Sequence, residues 1–151
     1  MISFAKILDS SCVANRVEAR DKEAALIAAV DVLAKGGKVP DRAKLLEDIR
    51  ARESLASTGI GEGVAVPHAL CDSLTETLLA VVHLAQPIPF DALDGQPVDL
   101  LFLMARPRGG TTDHLKLLSK LAKLLHDGSF RQAARQATDS KALAQLLYDQ
   151  D

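Results

Sequence analysis

Apolar residues recur along the chain with two different periods, and the change between them divides it into a helical beginning, a sheet-forming middle and a helical end. Phe4 opens a short helical turn over residues 4–8, and weak alternation over residues 12–17 predicts a first, edge-like strand. Asp21 then offers an N-cap to a run in which Leu26, Ile27, Val30 and Leu33 fall at helical spacing, and Gly36-Gly37 stops it. Pro40 suits the first turn of a second helix that carries Leu45, Leu46 and Ile49 inward and runs to about Glu53. Residues 78–84, interrupted by His83, and 98–105 are near-continuous runs rich in Val and Leu, the pattern of central strands covered on both faces. Asp94-Gly95 between them, with Pro87 and Pro89 just before, predicts a hairpin-like antiparallel relation. The segment Gly109-Gly110-Thr111-Thr112 opens a further helix in which Leu118, Leu121, Ala122 and Leu125 form one stripe and Lys116, Lys120 and Lys123 point elsewhere. Two shorter helices over residues 129–136 and 140–148 follow.

Between the helical beginning and the sheet lies the stretch 52–69, which joins spaced glycines, two hydroxyl residues, an acid and a histidine behind a proline. Residues 64–66 predict a short strand ending at Pro67-His68. Gly59, Gly61 and Gly63 allow backbone N–H groups to converge on an anion. The stretch is neither a nucleotide P-loop, because no Lys-Ser or Lys-Thr follows, nor the dinucleotide fingerprint, whose glycine spacing differs.

Arg52 falls on or beside the apolar face of the preceding helix, so its cation is aimed at the interior or at a cleft. Two readings stand: a ligand for an anion, or a packed stem with its head in water. His68 likewise reads either as a half-buried histidine at a strand end or as a nucleophile, since much of an imidazole of pKa near ~6.5 is neutral at pH 7. His114 shares the inward face of its helix with Leu118 and Leu121, in a first turn where anions are favoured. His83, within an apolar strand, reads as a satisfied core histidine, and His126, near Gly128, as a cap at a helix end. His68 and Cys71 are three apart, but no ligand set of zinc spacing accompanies them, and no metal is expected.

Length and composition narrow the picture. A chain of 151 residues suits one domain with a two- or three-layer core, and 48% apolar with 25% charged residues is an ordinary globular balance. The net charge of -2 and the scarcity of aromatics, with no Trp and only Tyr148, argue against nucleic-acid binding. Cys12 and Cys71 read as reduced thiols. The N-terminus lacks the layout of a leader, and the apolar runs fall short of the ~20 residues of a membrane helix. A cytoplasmic location without membrane insertion is expected.

The segment Ser57-Thr58-Gly59-Ile60-Gly61-Glu62-Gly63-Val64-Ala65-Val66-Pro67-His68-Ala69 resembles the active-site signature of the fructose/mannitol-type (type 2) IIA domains of the bacterial phosphoenolpyruvate-dependent phosphotransferase system. The likeness includes Arg52-Glu53, His114-Leu115, Leu118-Ser119 and Leu121-Ala122, and covers nearly the whole chain. Residues 86–100 look most like the nitrogen-regulatory IIA branch. The resemblance implies an α+β fold, a three-layer α/β/α sandwich around a mixed sheet, over residues 1–151. It implies that His68 accepts a phosphoryl group from a phosphocarrier of the HPr or NPr type, that His114 and Arg52 flank that group, and that no cofactor takes part. Ser57, Thr58 and the N–H groups of Gly59, Gly61 and Gly63 are expected to hold its oxygens. Glu62 matches a site glutamate of sugar-transport members, where nitrogen-type members often carry an amide; it would orient a histidine or repel misplaced anions.

Three functions accord with the resemblance. One is a regulator whose phosphorylation state selects partners such as a sensor kinase or a potassium transport system. Another is a sugar-transport IIA that passes its phosphoryl group to a IIB domain. The third is a phosphate-independent binding module on the same scaffold, against which the presence of both His68 and His114 argues. Ile60, Val64 and Leu70 are candidates either for a carrier-docking surface or for core.

Overall fold

The computed structural model describes residues 3–109 and 113–151. The chain begins with α1 (Phe4–Ile7), a 3-10 turn at Ser10–Cys12 and β1 (Val13–Val17). The next helix, α2 (Lys22–Ala34), starts where the Asp21 carboxylate accepts from the Ala24 N–H at 2.8 Å, and the chain turns after it through Gly37 at φ 75°. In α3 (Arg42–Leu55) the cap is Asp41, which accepts from the Lys44 N–H at 3.0 Å; Pro40 lies before the cap instead of inside the helix.

The glycine-rich stretch is more ordered than its composition suggests. β2 (Gly59–Gly61) and β3 (Val64–Ala65) form a hairpin, and His68 opens β4 (His68–Leu70) instead of closing the strand before it. β5 (Leu78–Ile88) and β6 (Val98–Arg106) pair antiparallel, as the two apolar runs predict. β5 outlasts its apolar run because an irregularity between His83 and Ile88 lets it pass Pro87 and pair again with Val98. The helices α4 (Asp113–Leu125), α5 (Gly128–Gln136) and α6 (Ser140–Tyr148) follow, the last two capped by Asp127 and Asp139. The expected opening of α4 by Gly110-Thr111-Thr112 lies outside the described residues.

The strands make one mixed sheet in the order β1-β5-β6-β3-β2, with β4 also on β6. Leu100 to Ala105 are all buried, so β6 is covered on both faces, and helices flank the sheet in a three-layer α/β/α arrangement. β3 and β4 both run parallel to β6 along one of its edges, β3 against Leu100 and Leu101 and β4 against Met104 to Arg106. Pro67 separates them because it has no N–H to donate to the ladder, while its carbonyl still accepts from the Met104 N–H at 2.9 Å. His68 therefore emerges where β6 runs out, beside the ends of α3 and α4. Among the described residues no helix is long and apolar enough to cross a membrane. Both cysteines are free and buried.

Candidate functional site

His68 is half-buried, and its Nδ1 lies 2.8 Å from the carbonyl oxygen of Val66. A carbonyl can only accept, so in the neutral ring Nδ1 carries the proton and Nε2 carries the lone pair. The bond also fixes the ring plane, since Val66 is itself held by its N–H on the Thr58 carbonyl at 3.0 Å.

Two clefts meet at this ring. The larger, of about 750 Å³, is lined by Asp48, Arg52, Arg106, Arg108 and His114 together with His68. The smaller, of about 290 Å³, adds Ser57, Thr58, Ile60 and Ala122 on the other side. Arg52, His68 and Leu118 line both. The structure thus brings Arg52, His68 and His114 to one cleft. Among the described lining residues the cleft is cationic: Asp48, the acidic one, is engaged by Lys44 at 3.1 Å, whereas the Arg52 guanidinium donates to the uncharged carbonyl of Ala56 at 2.9 Å. Arg106, Arg108 and Asp48 were not singled out by the sequence reading; the signal for Arg106 is its position two residues beyond Met104, on the same strand face, at the end of the apolar run.

Leu118 and Ala122 explain a difference in α4. The buried stripe is Leu117, Leu121 and Leu125, while Leu118 is half-buried and Ala122 exposed. The apolar face is wider than the core contact, and its surplus edge forms cleft wall.

The loop residues divide into two groups. Thr58 is buried, its N–H and hydroxyl donating to Glu53 at 2.8 and 2.6 Å, and Glu53 also meets Lys22 Nζ at 3.0 Å. Ser57 donates to the Phe90 carbonyl at 2.8 Å and accepts from the Gly59 N–H at 3.0 Å. The N–H groups of Thr58 and Gly59 are therefore already used by side chains. The glycines are required by close approach and turning: a Cβ on Gly59 would lie 2.8 Å from that of Ala92, and Gly61 and Gly63 have φ of 101° and 77°. Among the described residues that line the clefts, Gly59, Gly61 and Gly63 do not figure.

Glu62 lies in the turn between β2 and β3. It sits in the left-handed region at φ 58°, its N–H donates to Asp94 at 3.0 Å, and its exposed carboxylate lies 3.8 Å from Arg131 on α5. Its carbonyl accepts from Arg135 at 2.7 Å. Neither cleft includes it among the described lining residues. Of the docking candidates, Ile60 is exposed, Leu70 half-buried in the larger cleft wall, and Val64 buried in the core. His83 is a satisfied histidine, with Nδ1 2.8 Å from Asn15 Oδ1 and Nε2 3.6 Å from Asp99. His126 follows α4, where its N–H continues the helical ladder to the Ala122 carbonyl at 3.0 Å.

Comparison with known proteins places this geometry in a family. Residues 6–150 match the model of the phosphoenolpyruvate-dependent sugar phosphotransferase system, EIIA 2. The nitrogen regulatory protein of Escherichia coli is 38% identical over 151 residues, with 98% of this chain and 91% of the relative covered. The fructose-specific EIIABC component of Bacillus subtilis is 33% identical over 150 residues, which span 99% of this chain and 24% of that protein. The crystal structure of the nitrogen regulatory protein IIA-Ntr from Neisseria meningitidis superposes with a TM-score of 0.85 at 30% identity, covering 95% of this chain and 98% of that one.

Proposed function

The chain belongs to the phosphotransferase system EIIA 2 family, and we propose that it carries a phosphoryl group on His68 Nε2, taken from a phosphohistidine on an HPr- or NPr-type carrier. The observation that carries this reading is the Nδ1 to Val66 carbonyl bond, which leaves Nε2 as the nucleophile in a cationic cleft. In the transfer, the Nε2 lone pair forms the new N–P bond as the carrier's N–P bond breaks, and the carrier imidazole leaves with the electron pair. No nucleotide or metal is needed to balance the step. Such a reaction depends on positioning and on charge stabilisation, which Arg52 and His114 supply from the walls of the cleft.

Phosphorylation then serves regulation. The match to nitrogen regulatory proteins along nearly their whole length supports a regulator whose charged state selects partners, such as a sensor kinase or a potassium transport regulator. A sugar-transport role, passing the phosphoryl group to a IIB domain, is the second reading, favoured by the 33% identity to a fructose-specific component across 99% of this chain. Incubation with labelled phosphoenolpyruvate, enzyme I and carrier should place one acid-labile phosphoryl group on the chain, and labelling of a folded His68→Ala variant would refute the assignment. His114→Ala should remain folded and transfer slowly; unchanged rates would remove His114 from the site. Passage of label to a fructose-type IIB domain separates the two roles.

A further inference from the structure

We infer that Arg106 is a second phosphoryl-binding arginine, which with Arg52 holds the charge of the group carried on His68; this rests on the reading of His68 given above. In the β4/β6 ladder His68 pairs with Met104 and Leu70 with Arg106. Directly paired residues share a sheet face, and residues two apart on a strand do so as well, so His68, Met104 and Arg106 point to the same side. The Cα of Arg106 is about 7 Å further along the strand than that of Met104, at the usual rise of ~3.3 Å per residue. An arginine side chain spans that distance, and both residues line the larger cleft with His68 and His114.

Among the described residues the charge around Arg106 is unbalanced. It is half-buried, and its Nη1 donates at 3.4 Å to the carbonyl of the adjacent Pro107, a long bond to an uncharged acceptor. Among the described residues no carboxylate lies within 4.0 Å of its guanidinium. The other charges of the cleft are accounted for differently: Arg108 is exposed and paired with Asp72 at 3.0 Å, and Asp48 is paired with Lys44 at 3.1 Å. Arg52, which lines both clefts with His68, likewise donates to a carbonyl, that of Ala56 at 2.9 Å. A phosphoryl group brings roughly 1.5 to 2 negative charges and three acceptor oxygens, more than one guanidinium neutralises. Two forks approaching from different elements, one on a helix and one on a strand, match that demand.

The test uses the equilibrium constant of transfer, because a residue that only docks the carrier changes the rate in both directions equally and leaves the equilibrium unmoved. A carrier loaded with labelled phosphate, then freed of phosphoenolpyruvate and enzyme I, is mixed with wild-type chain, Arg106→Ala or Arg106→Lys, and the label on each protein is measured when exchange has finished. Arg106→Ala should shift the distribution toward the carrier by about tenfold, with Arg106→Lys between it and wild type, and added salt should narrow the gap. Equal distributions for wild type and both variants would overturn the inference, whatever happens to the rates. Should Arg106→Ala unfold, the lysine variant decides alone. Failure of the wild-type chain to take label would overturn the His68 reading and this inference together, an outcome distinct from a labelled wild type with unshifted variants.

Discussion

The carboxylate of Glu53 accepts both the main-chain N–H and the hydroxyl of Thr58, at 2.8 and 2.6 Å, so one buried group ties the last turn of α3 to the strand-forming segment that follows. Its remaining charge is met by Lys22 Nζ at 3.0 Å, and the same ammonium lies 4.6 Å from the centroid of the Phe90 ring. Arg52 precedes Glu53 directly, and Thr58 lines the smaller cleft. The lock therefore sets where the Arg52 backbone stands relative to His68.

Removing that carboxylate should cost stability as well as geometry. Glu53→Ala leaves a buried N–H and hydroxyl without their acceptor and Lys22 with the more distant Asp91 carboxylate at 3.8 Å, and should destabilise the protein by about 2–4 kcal/mol. Denaturant unfolding measures it. A loss below ~1 kcal/mol would mean that water or another carboxylate replaces Glu53.

Arg52 should behave in the opposite way. Its bond to the Ala56 carbonyl is exposed, so Arg52→Ala should leave the unfolding midpoint almost unchanged. Loss of a guanidinium from the phosphoryl site should slow transfer to His68 by about 10²-fold, with Arg52→Lys recovering only part of the rate, because an ammonium lacks the planar fork. Rapid-quench transfer from a labelled carrier gives both numbers.

The fold was largely legible because period and capping are local properties. Asp21, the two apolar runs of β5 and β6 and the last two helices act through neighbours in sequence, and each was found where its pattern lies. Arg52 and His114 were legible as residues on inward faces. What escaped depends on partners distant in sequence. The glycines read as an anion loop, and their smallness also answers Ala92, Asp94 and Arg135, which the fold brings up from 33 or more residues away. Arg106 gained meaning only from the β4/β6 register, and the contact of Glu62 with Arg131 at 3.8 Å comes from a left-handed turn that no local pattern marks.

Gly63 offers a test of that account. A Cβ there would adopt φ 77° and stand 2.4 Å from Arg135 Nη2, whereas at Gly37, at φ 75°, it would meet nothing within 4 Å. Both Gly63→Ala and Gly37→Ala incur backbone strain of about 1–2 kcal/mol. Only Gly63→Ala should also disturb the Arg135 bonds to Asp99 and the Glu62 carbonyl and cost measurably more. Equal losses in thermal unfolding would show that Arg135 moves aside freely.

His83 makes stability depend on pH. Burial pushes its pKa down, opposed by the nearby Asp99 carboxylate and reinforced by Arg135 and Arg16. The folded ring therefore declines a proton that the unfolded ring accepts at its ordinary value near ~6.5. Stability should be constant above that value and fall as the pH drops below it, until the folded ring also titrates. The difference in urea midpoint between wild type and His83→Gln, in which the amide can still donate to Asn15, should change between pH 7.5 and 5.5, the wild type losing more on acidification. A pH-independent difference would contradict the lowered pKa.

The tautomer of His68 can be observed directly. Because the Val66 carbonyl requires a donor, the neutral ring should show a protonated Nδ1 and a bare Nε2 in nitrogen-15 spectra. The same bond should dictate where the phosphoryl group lands. A group on Nδ1 would break the bond and collide with the β3–β4 backbone, whereas one on Nε2 extends into the space lined by Arg52 and His114. Phosphorus–nitrogen coupling in the labelled protein should accordingly appear on Nε2, with the Nδ1 proton retained and its exchange with water slowed by the carbonyl. Coupling on Nδ1 would mean that the ring turns over before reaction, and the backbone bond would then be a resting contact with no part in selecting the nucleophile.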